Sequence, residues 1–460
     1  MLKSHYNVKG VDYEMKEEHR KYAQEAYDIL SHAAKNIGPR LPGSEGEKKF
    51  SVYMENKLRE LGIEPVTEEF AVTPRSSIGG IPYTGWIGII MSVLVYFALE
   101  INTLWFPMAF IFVASIVWLV CSVFLYKTWF DLFFKQEISE NVYGELLPED
   151  GEYDYTIVLS GHLDTSWSWR HAEHTYRYRN GQQWKGMVAT YGKMGFGVVC
   201  YFLLAAISIF MAVVYGAAAF KAPWALTMVS SAGFAIFQKV LLFLPMITAF
   251  GCSFIVMWAD FTPRNASRGA MDNASGIALS YEVTKYFKEH PEKMPKRCRI
   301  IDMSVGSEEA GLRGSMAFAR EHKGEEILNN TWNINIDSIA DEEYFEVVVK
   351  DVWQFCRFDK DLEKMFKDTF NEMGIVSKTG GCISNPVGGC DSTPLTRAGM
   401  KSVTFAAQNP VTTYYYHTWR DMPARFTVDT IGTGFDVVLG VIDKIEKFQT
   451  ENGFTGPRTK

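Results

Sequence analysis

Two long apolar blocks interrupt an otherwise polar chain of 460 residues and constrain its fold more than any other feature. They cover residues 84–126 and 194–259. Their nearly uncharged stretches are 86–101, 105–126, 196–220 and 240–258. Each stretch approaches the roughly 20 residues that a helix needs to cross a hydrocarbon core. Tryptophan and tyrosine near the ends of these stretches, including Tyr126, are typical of membrane interfaces. The sequence therefore predicts a membrane protein rather than a soluble domain with buried core helices.

Five potential metal ligands and one further carboxylate lie in short motifs outside these blocks. In chain order they are His162, Asp272, Glu308, Glu309, Asp337 and His417. Two histidines and three carboxylates are enough to hold two zinc-like ions when one carboxylate bridges them. A single such residue is usually a surface partner, a solvated charge or a helix N-cap. The ordered set, with members at the ends of predicted strands, instead predicts a two-metal site.

The adjacent carboxylates Glu308 and Glu309 follow a predicted strand, so their side chains diverge. One is free to bind metal while the other faces the water between the ions. Two ions about 3.5–4 Å apart lower the pKa of that water and stabilise a tetrahedral intermediate, so the pattern predicts a hydrolase. Asp164, two residues after His162, is expected to accept a hydrogen bond and orient a group of the site. A site of two histidines and three carboxylates accommodates zinc, cobalt or manganese.

The polar segments 1–82, 127–193 and 260–460 are predicted to form one α/β domain. Transmembrane helical hairpins at 83–126 and 194–259 interrupt it, giving four spans. The predicted strands are 64–73, 139–147, 155–160, 299–305 and 332–336, and the predicted helices are 14–35, 44–61, 274–288 and 428–448. Strands that alternate with helices indicate a three-layer αβα domain with a central mixed sheet.

The strand at 64–73 leads into the first hairpin, and the strand that ends at His162 leads into the second. If each pairs antiparallel with the strand at 139–147, both hairpins leave from the same side of the sheet. Ligands usually lie where the strands of an α/β sheet end. The site is therefore expected to face the membrane or to open close to it.

The topology follows from parity and charge. Ligands before and after the second block must meet in one site. The block is therefore expected to cross the membrane an even number of times. Residues 222–238 are then a connector, an interfacial helix or a re-entrant segment. Basic residues cluster on the domain side of the spans: Arg75, Lys127, Lys135, Arg177, Arg179, Lys185, Lys193, Arg264 and Arg268. The connectors offer only Lys221 and Lys239. Because basic residues favour the cytoplasm, the domain is predicted to be cytoplasmic. Cysteines without zinc-finger or disulfide spacing suit that compartment.

The motifs resemble those of the co-catalytic di-zinc exopeptidases. This family includes bacterial leucyl aminopeptidases, glutamate carboxypeptidase II and glutaminyl cyclase. The segments that carry the resemblance are 37–44 (IGPRLPGS), 161–164 (GHLD), 269–276 (GAMDNASG), 307–315 (SEEAGLRGS) and 416–418 (YHT). The resemblance implies that His162 and Asp337 hold one zinc ion and that Glu309 and His417 hold the other. Asp272 would bridge the two ions.

The resemblance also implies catalytic roles, with Glu308 as general base and acid and Asp164 orienting a ligand. Candidate pocket residues are Tyr414, Tyr415, Tyr416 and Asp391. One of the tyrosines would donate to the oxyanion, or all three would simply line the pocket. Where the family often has Ser-Asp-His before a proline, this chain has Cys-Asp-Ser at 390–392. The pocket-wall histidine is absent, and the substrate is expected to differ accordingly.

The sequence therefore predicts an integral multi-pass membrane aminopeptidase or related exopeptidase that hydrolyses short, hydrophobic peptides with two zinc ions. An N-acyl amino acid or lipopeptide amidase is an alternative on the same site. A non-catalytic peptidase-like membrane scaffold is another, although such relatives typically lose ligands or the base. The complete ligand set also disfavours a one-zinc aminoacyl cyclase. The net charge of -7 argues against nucleic acid as a partner, and the sequence indicates no oligomeric state.

Overall fold

A nine-stranded mixed sheet lies at the centre of the polar part of the chain. The computed structural model describes residues 13–169, 183–258, 267–385, 388–409 and 415–452, with the backbone alone over 183–191. The strands are β1 (Val66–Val72), β2 (Glu137–Leu146), β3 (Tyr155–His162), β4 (Cys298–Val305), β5 (Thr331–Ile339), β6 (Phe345–Asp351), β7 (Cys356–Arg357), β8 (Cys382–Asn385) and β9 (Lys401–Ala407).

The strand order is β1-β2-β4-β3-β5-β9-β6-β7, with β8 beside β6. The four strands β4, β3, β5 and β9 are parallel to one another, whereas β1, β2, β6 and β7 introduce antiparallel pairs. The predicted mixed sheet is confirmed. Strands β6 to β9 lie outside the predicted set, and two of them have only two and four residues.

The strand β3 does not pair with β2, which corrects the expected pairing. All eight residues of β3 are buried, and a buried parallel strand needs a neighbour on each side. It lies between β4 and β5, and β4 separates it from β2. Because β2 is antiparallel to both β1 and β4, the strands β1 and β3 still run in the same direction. Both therefore end on the same side of the sheet, as expected.

Helices cover both faces of the sheet. In chain order the α-helices are α1 (Arg20–His32), α2 (Glu45–Glu60), α3 (Ile81–Glu100), α4 (Trp105–Trp118), α5 (Gln183–Ala219), α6 (Pro223–Val229), α7 (Ala232–Leu241), α8 (Leu244–Val256), α9 (Gly276–Glu289), α10 (Arg313–Glu321), α11 (Lys360–Glu372), α12 (Ser392–Ala398) and α13 (Val428–Asn452). Neighbouring residues of β4 point to opposite faces, as in any strand. Ile300 packs with α1, α9 and α13, and Ile301 packs with α10 and α12. The result is an αβα arrangement.

Three helical segments within the described residues are long and apolar enough to span a membrane by length and composition. They are Ile78–Glu100, Asn102–Phe124 and Gly192–Ala219, with 23, 23 and 28 residues. A helix of 23 residues is about 34 Å long, which exceeds the roughly 30 Å of a bilayer core. The four predicted spans are not confirmed as such, because the last helix, α8, has only 13 residues.

The chain returns toward the sheet domain along α5 in two pieces. Helices α6 and α7 are bent by 62° at the break between them, and α7 and α8 then pack antiparallel to α5 in succession. Their ring contacts are Phe234 with Tyr215 (6.0 Å), Phe237 with Phe210 (6.0 Å) and Phe254 with Phe196 (6.5 Å). The chain thus comes back along α5 in short helices, and an even number of membrane crossings in the second block remains a prediction.

Candidate metal centre

His162 is the last residue of β3. Its Nε2 atom lies 3.0 Å from Oδ1 of Asp272 and 3.9 Å from Oδ1 of Asp337. Its Nδ1 atom lies 3.3 Å from Oδ1 of Asp164 and 3.2 Å from the Asp164 carbonyl oxygen. Because the imidazole is buried, these contacts fix the plane of its ring and direct Nε2 toward the two carboxylates.

Asp272 lies in the irregular turn Ala270–Ser275, just before α9. The carboxylate of Asp421 holds this turn, since Oδ1 accepts the N–H of Met271 at 2.7 Å and Oδ2 accepts the N–H of Asp272 at 3.1 Å. The Asn273 side chain ties the turn to β5 by donating to the Ile336 carbonyl at 2.8 Å. The backbone of Asp272 is thus fixed from both sides, which leaves its two carboxylate oxygens for the site.

The carboxylates Glu308 and Glu309 follow β4 in a short 3-10 turn. Asp164 accepts the N–H of Glu308 on one oxygen and the N–H of Glu309 on the other, each at 2.9 Å. Ser307, with φ of 54°, turns the chain just before them. Glu309 is buried and reaches His417, whereas Glu308 is only partly covered. The two side chains therefore differ in burial and in their contacts.

Asp337 and His417 complete the cluster from two further segments. Asp337 lies in β5, where the pairing with β9 is irregular between Ile336 and Ile339. His417 places Nε2 at 2.9 Å from Oδ2 of Asp272 and at 2.9 Å from Oε1 of Glu309. The indole of Trp169 packs edge-on against its ring at 4.8 Å.

These residues form two groups that share Asp272. In each group, one donor atom from every member lies within 4.8 Å of the others. The groups are His162, Asp272 and Asp337 and, second, Asp272, Glu309 and His417. Both ring nitrogens of His417 are buried without a hydrogen-bond partner in the described structure, although carboxylate oxygens lie 2.9 Å from one of them. A nitrogen that faces carboxylates without such a bond fits a metal ligand, and the donor set suits zinc.

The buried carboxylates of the cluster lie close to one another and to the two histidines, and this shifts their pKa values. Burial raises the pKa of Glu308 well above its usual range, His162 opposes this, and Glu309 adds to it. Burial would lower the pKa of His417, but Glu309 and Asp272 outweigh burial and raise the pKa to about 10. Burial would also raise the pKa of Asp272, yet the two histidines lower it. Bound cations would relieve the repulsion among these carboxylates.

The candidate pocket residues have different positions. Tyr416 stacks on His417 with ring centroids 3.8 Å apart, and burial together with Asp272 holds its pKa well above the usual value. Tyr415 is not brought to the cluster, because its hydroxyl donates to Asp341 and its ring packs under a guanidinium. Tyr414 lies outside the described residues.

Asp391 lies close to the cluster, immediately before α12. Its Oδ1 atom accepts a hydrogen bond from Ser315 at 2.6 Å, and its Oδ2 atom is buried without a partner among the described residues. Burial raises the pKa of Asp391 to about 7, and His162 opposes the shift. The Asp391 carboxylate is therefore a pocket residue with one uncommitted oxygen.

Tyr126, at the end of the first apolar block, lies beside the cluster although the sequence pattern gives it no role there. The structure buries its ring beside Gly389, where a Cβ atom would lie 2.8 Å from Cε2, and beside Gly311, where the distance to Cδ1 would be 3.2 Å. Glu308 and Asp351 are among the charged groups nearest to it. The chain turns back toward the cluster directly after Phe124, through a left-handed Tyr126 (φ 51°).

Asp421 is a second residue outside the predicted set, four positions after His417 in a segment without a recognisable motif. The fully buried Arg40 is part of the early motif at 37–44 and joins three segments around the cluster. Its guanidinium donates to the carbonyls of Leu163 at 2.8 Å and Gly269 at 2.8 Å. It therefore holds the strand end at His162 against the turn that carries Asp272.

Comparison with known proteins finds a matching sequence family and similar folds. A model of peptidase family M28 matches residues 255–442. A zinc aminopeptidase from Bacillus subtilis has a similar fold at 14% identity, with a TM-score of 0.51 over 92% of this chain and 95% of that chain. An aminopeptidase from Aneurinibacillus sp. strain AM-1 matches at 12% identity and a TM-score of 0.49, over 93% and 95%. A glutaminyl cyclase from Bacteroides thetaiotaomicron matches at 13% and 0.49, over 91% and 97%. No curated protein sequence matches.

The family match includes Asp272, Glu308, Glu309, Asp337 and His417. The Bacillus subtilis structure shares the fold that surrounds them. The resemblance to the co-catalytic zinc exopeptidases is confirmed. Residues 255–442 therefore match peptidase family M28, and the chain is a zinc-dependent metallopeptidase.

Proposed function

We propose that the chain is a membrane-integrated exopeptidase whose two ligand groups each hold one zinc ion. The supporting observation is the position of Asp272. Its Oδ1 atom lies 3.0 Å from His162, and its Oδ2 atom lies 2.9 Å from His417. One carboxylate thus offers a separate oxygen to each group, as a bridging ligand does. Asp337 and Glu309 complete the two groups. Cobalt and manganese fit the same donors.

Glu308 acts as general base and general acid in this proposal. When bound, the two ions supply an activated water and stabilise the negative charge that develops on the amide carbonyl. Glu308 is the one carboxylate of the motif that belongs to neither ligand group, and Asp164 fixes its backbone. It takes a proton from the attacking water and delivers that proton to the leaving amine. Tyr416, whose ring stacks on His417, would donate to the carbonyl oxygen.

The membrane assignment is part of the same proposal. Residues 1–82, 127–193 and 260–460 form the peptidase domain, and residues 83–126 and 194–259 form two membrane insertions. The return along α5 by α7 and α8 supports four crossings, the last one broken. This proposal places the lipid bilayer beside the peptidase domain.

The peptidase domain is proposed to lie on the cytoplasmic side, because the basic residues flank the spans on the domain side. Single cysteines introduced near Glu100 and Lys221, in the connectors, should react with an impermeant maleimide from outside intact cells. Labelling of these positions from the cytoplasm alone would reverse the orientation.

The substrates that fit best are short, hydrophobic peptides with a free N-terminus. A second candidate is an N-acyl amino acid or lipopeptide, which the same residues would hydrolyse at its amide bond. The observation in its favour is Tyr126, which carries the end of the first membrane insertion into the pocket beside Gly389. A substrate with an apolar chain would reach the pocket along that path.

Two other functions fit the site less well. A non-catalytic scaffold does not require a base, yet Glu308 and all five ligand positions are occupied by suitable side chains. A one-zinc aminoacyl cyclase requires only one ligand group, whereas two groups share Asp272 here.

Metal reconstitution tests the proposal. The full chain, purified in lipid nanodiscs, is stripped with a chelator and titrated with zinc. Products are followed by mass spectrometry on aminoacyl reporter peptides, N-acyl amino acids and an N-terminal glutamine peptide. Hydrolysis should return and level off at about two ions per chain, as a co-catalytic pair requires. Full activity at one ion, cyclised product alone, or no turnover of any substrate would overturn the proposal.

A further inference from the structure

Two exposed apolar segments of the peptidase domain flank the place where the first membrane insertion ends. One contains Trp129, Leu132 and Phe133, and the other is the tip between β6 and β7, with Trp353 and Phe355. The side chains of Leu132 and Phe355 are 76% and 83% exposed. We call these five residues the interface patch. Several large apolar side chains exposed within short segments point to a site of interaction rather than ordinary solvent contact.

The two halves of the interface patch are attached to the same end of the spanning helix. The ring of Trp353 stacks on Phe124, the last residue of the span, with centroids 4.8 Å apart. The neighbouring Gln354 donates through Nε2 to the Phe124 carbonyl at 2.6 Å. In the other half, the ring of Phe134 stacks on Trp118 of α4 at 5.7 Å. The patch therefore lies at the level where the helix leaves the bilayer.

The chemistry of the patch fits the boundary between lipid headgroups and acyl chains. Tryptophan and phenylalanine are typical of such interfacial segments, often with lysine beside them. Lys127 and Lys135 flank the first segment and are exposed. Lys135 pairs with Glu137 at 2.6 Å, whereas the ammonium group of Lys127 would reach anionic headgroups while the rings enter the acyl region. A protein partner would have to approach beside the bilayer to reach the same rings, whereas the lipid is already continuous with Phe124.

We propose that the interface patch is a non-spanning lipid-binding surface that seats the peptidase domain on the bilayer. This inference rests on the membrane insertion proposed above. The same segments continue directly into the pocket: Tyr126 follows Phe124 by two residues, and Asp351, which accepts the N–H of Cys390 at 3.0 Å, precedes the β6–β7 tip. Seating the patch in lipid therefore holds the pocket wall at the membrane surface, where amphiphilic substrates concentrate.

Depth measurements with spin labels test the proposal on the full chain in nanodiscs. The variant Phe355→Cys is made with Cys382→Ser, because Cys382 is the one native cysteine that is not buried. Val376→Cys is the matched control, since Val376 is 81% exposed and lies near the opposite end of β6, beside the segment that pairs with Glu343. Phe110→Cys, in the middle of α4 and 73% exposed, reports insertion itself.

Labels at 110 and 355 should collide more with oxygen and less with a water-soluble nickel chelate than the label at 376. A label at 355 that matches 376 while 110 remains in lipid would overturn the interface patch alone. Spin–spin broadening between copies at 355 would assign the patch to a second copy and overturn it as well. An aqueous label at 110 would overturn the membrane insertion together with the patch. None of these outcomes depends on peptidase activity, so the two-metal site is judged separately.

Discussion

The Oδ1 atom of Asp164 accepts the backbone N–H of Glu308 at 2.9 Å. Its other oxygen accepts the N–H of Glu309 at the same distance. A single buried carboxylate therefore fixes two consecutive peptide groups, and so sets which neighbour turns toward His417 and which remains partly open. Asp421 repeats this device at Met271 and Asp272. The two carboxylates Asp164 and Asp421 thus accept backbone hydrogen bonds in pairs and hold the residues of the cluster in place.

The substitution Asp164→Asn tests the first of these supports. An asparagine keeps one acceptor and places an N–H donor where the second is needed, so the Glu308–Glu309 turn should loosen. We expect kcat/KM or zinc affinity to fall by about 10- to 100-fold, as for other residues that orient ligands. The control is Asp154→Asn, which removes a pair with Arg297 before the opposite end of β3. Equal behaviour of the two variants would contradict the assignment.

The substitution Asp421→Asn tests the second support. Because Asp272 belongs to both ligand groups, loosening its backbone should lower the affinity for both zinc ions together, by roughly 10-fold or more. Chelator competition followed by metal analysis measures this. Asp436→Asn is the matched variant, since Asp436 is also buried and accepts a hydrogen bond from Tyr13 at 2.7 Å. Loss of one ion with the other retained would argue against a bridging Asp272.

The substitution Tyr126→Phe tests whether the first membrane insertion contributes to the pocket. The phenol ring lies beside Gly389 and Gly311 and near Glu308, the proposed general base, so the proposal expects its hydroxyl to contact substrate. We expect kcat/KM to fall by about 10-fold or more, which is less than the loss of a full oxyanion donor, with metal content unchanged. Tyr96→Phe, at an exposed position of α3, should have no effect. An unchanged kcat/KM for Tyr126→Phe would remove this residue from the site.

The stability of the metal-free protein should depend on pH through the protonation of Glu282, a buried residue of α9. Burial raises the pKa of Glu282 to about 8, from 4.5, although Lys285 opposes the shift. The folded state thus holds a proton that the unfolded state releases. The resulting stability is fully present below about pH 4 and declines as the pH rises toward 8.

The variant Glu282→Gln should therefore melt at a higher temperature than the wild type at about pH 9 and at a similar temperature at about pH 4. Thermal melts in detergent at several pH values measure the difference, with the exposed Glu292→Gln as control. A difference in Tm that does not change with pH would contradict the raised pKa.

The sequence predicts the proposed ligand set because its members lie in short local motifs, several of them next to strands. His162 closes a buried strand, and Glu308 and Glu309 follow another. Asp272 precedes a helix. The parallel arrangement of β3, β4 and β5 then brings these ends together, as α/β sheets do.

Other features depend on contacts between distant segments, which local patterns do not reveal. Strand β9 enters the sheet between β5 and β6, and nothing in its own residues specifies that place. Tyr126 ends an apolar run and so has the pattern of an interface residue, yet the chain turns it into the pocket. In the second apolar block, two short helices, α7 and α8, pack along α5 where the sequence predicts one continuous helix over 240–258. The side chain of Asp421 acts through hydrogen bonds to a turn 150 residues away.

The most direct test of the account is the variant Glu308→Gln, compared with Glu309→Gln. Glutamine at 308 keeps the shape of the side chain but cannot take a proton, so hydrolysis should fall by about 100-fold or more. Metal analysis of the same sample should still find about two zinc ions per chain, whereas Glu309→Gln should lose zinc. Wild-type hydrolysis by Glu308→Gln, or loss of its zinc together with its activity, would contradict the assignment of Glu308 as the general base.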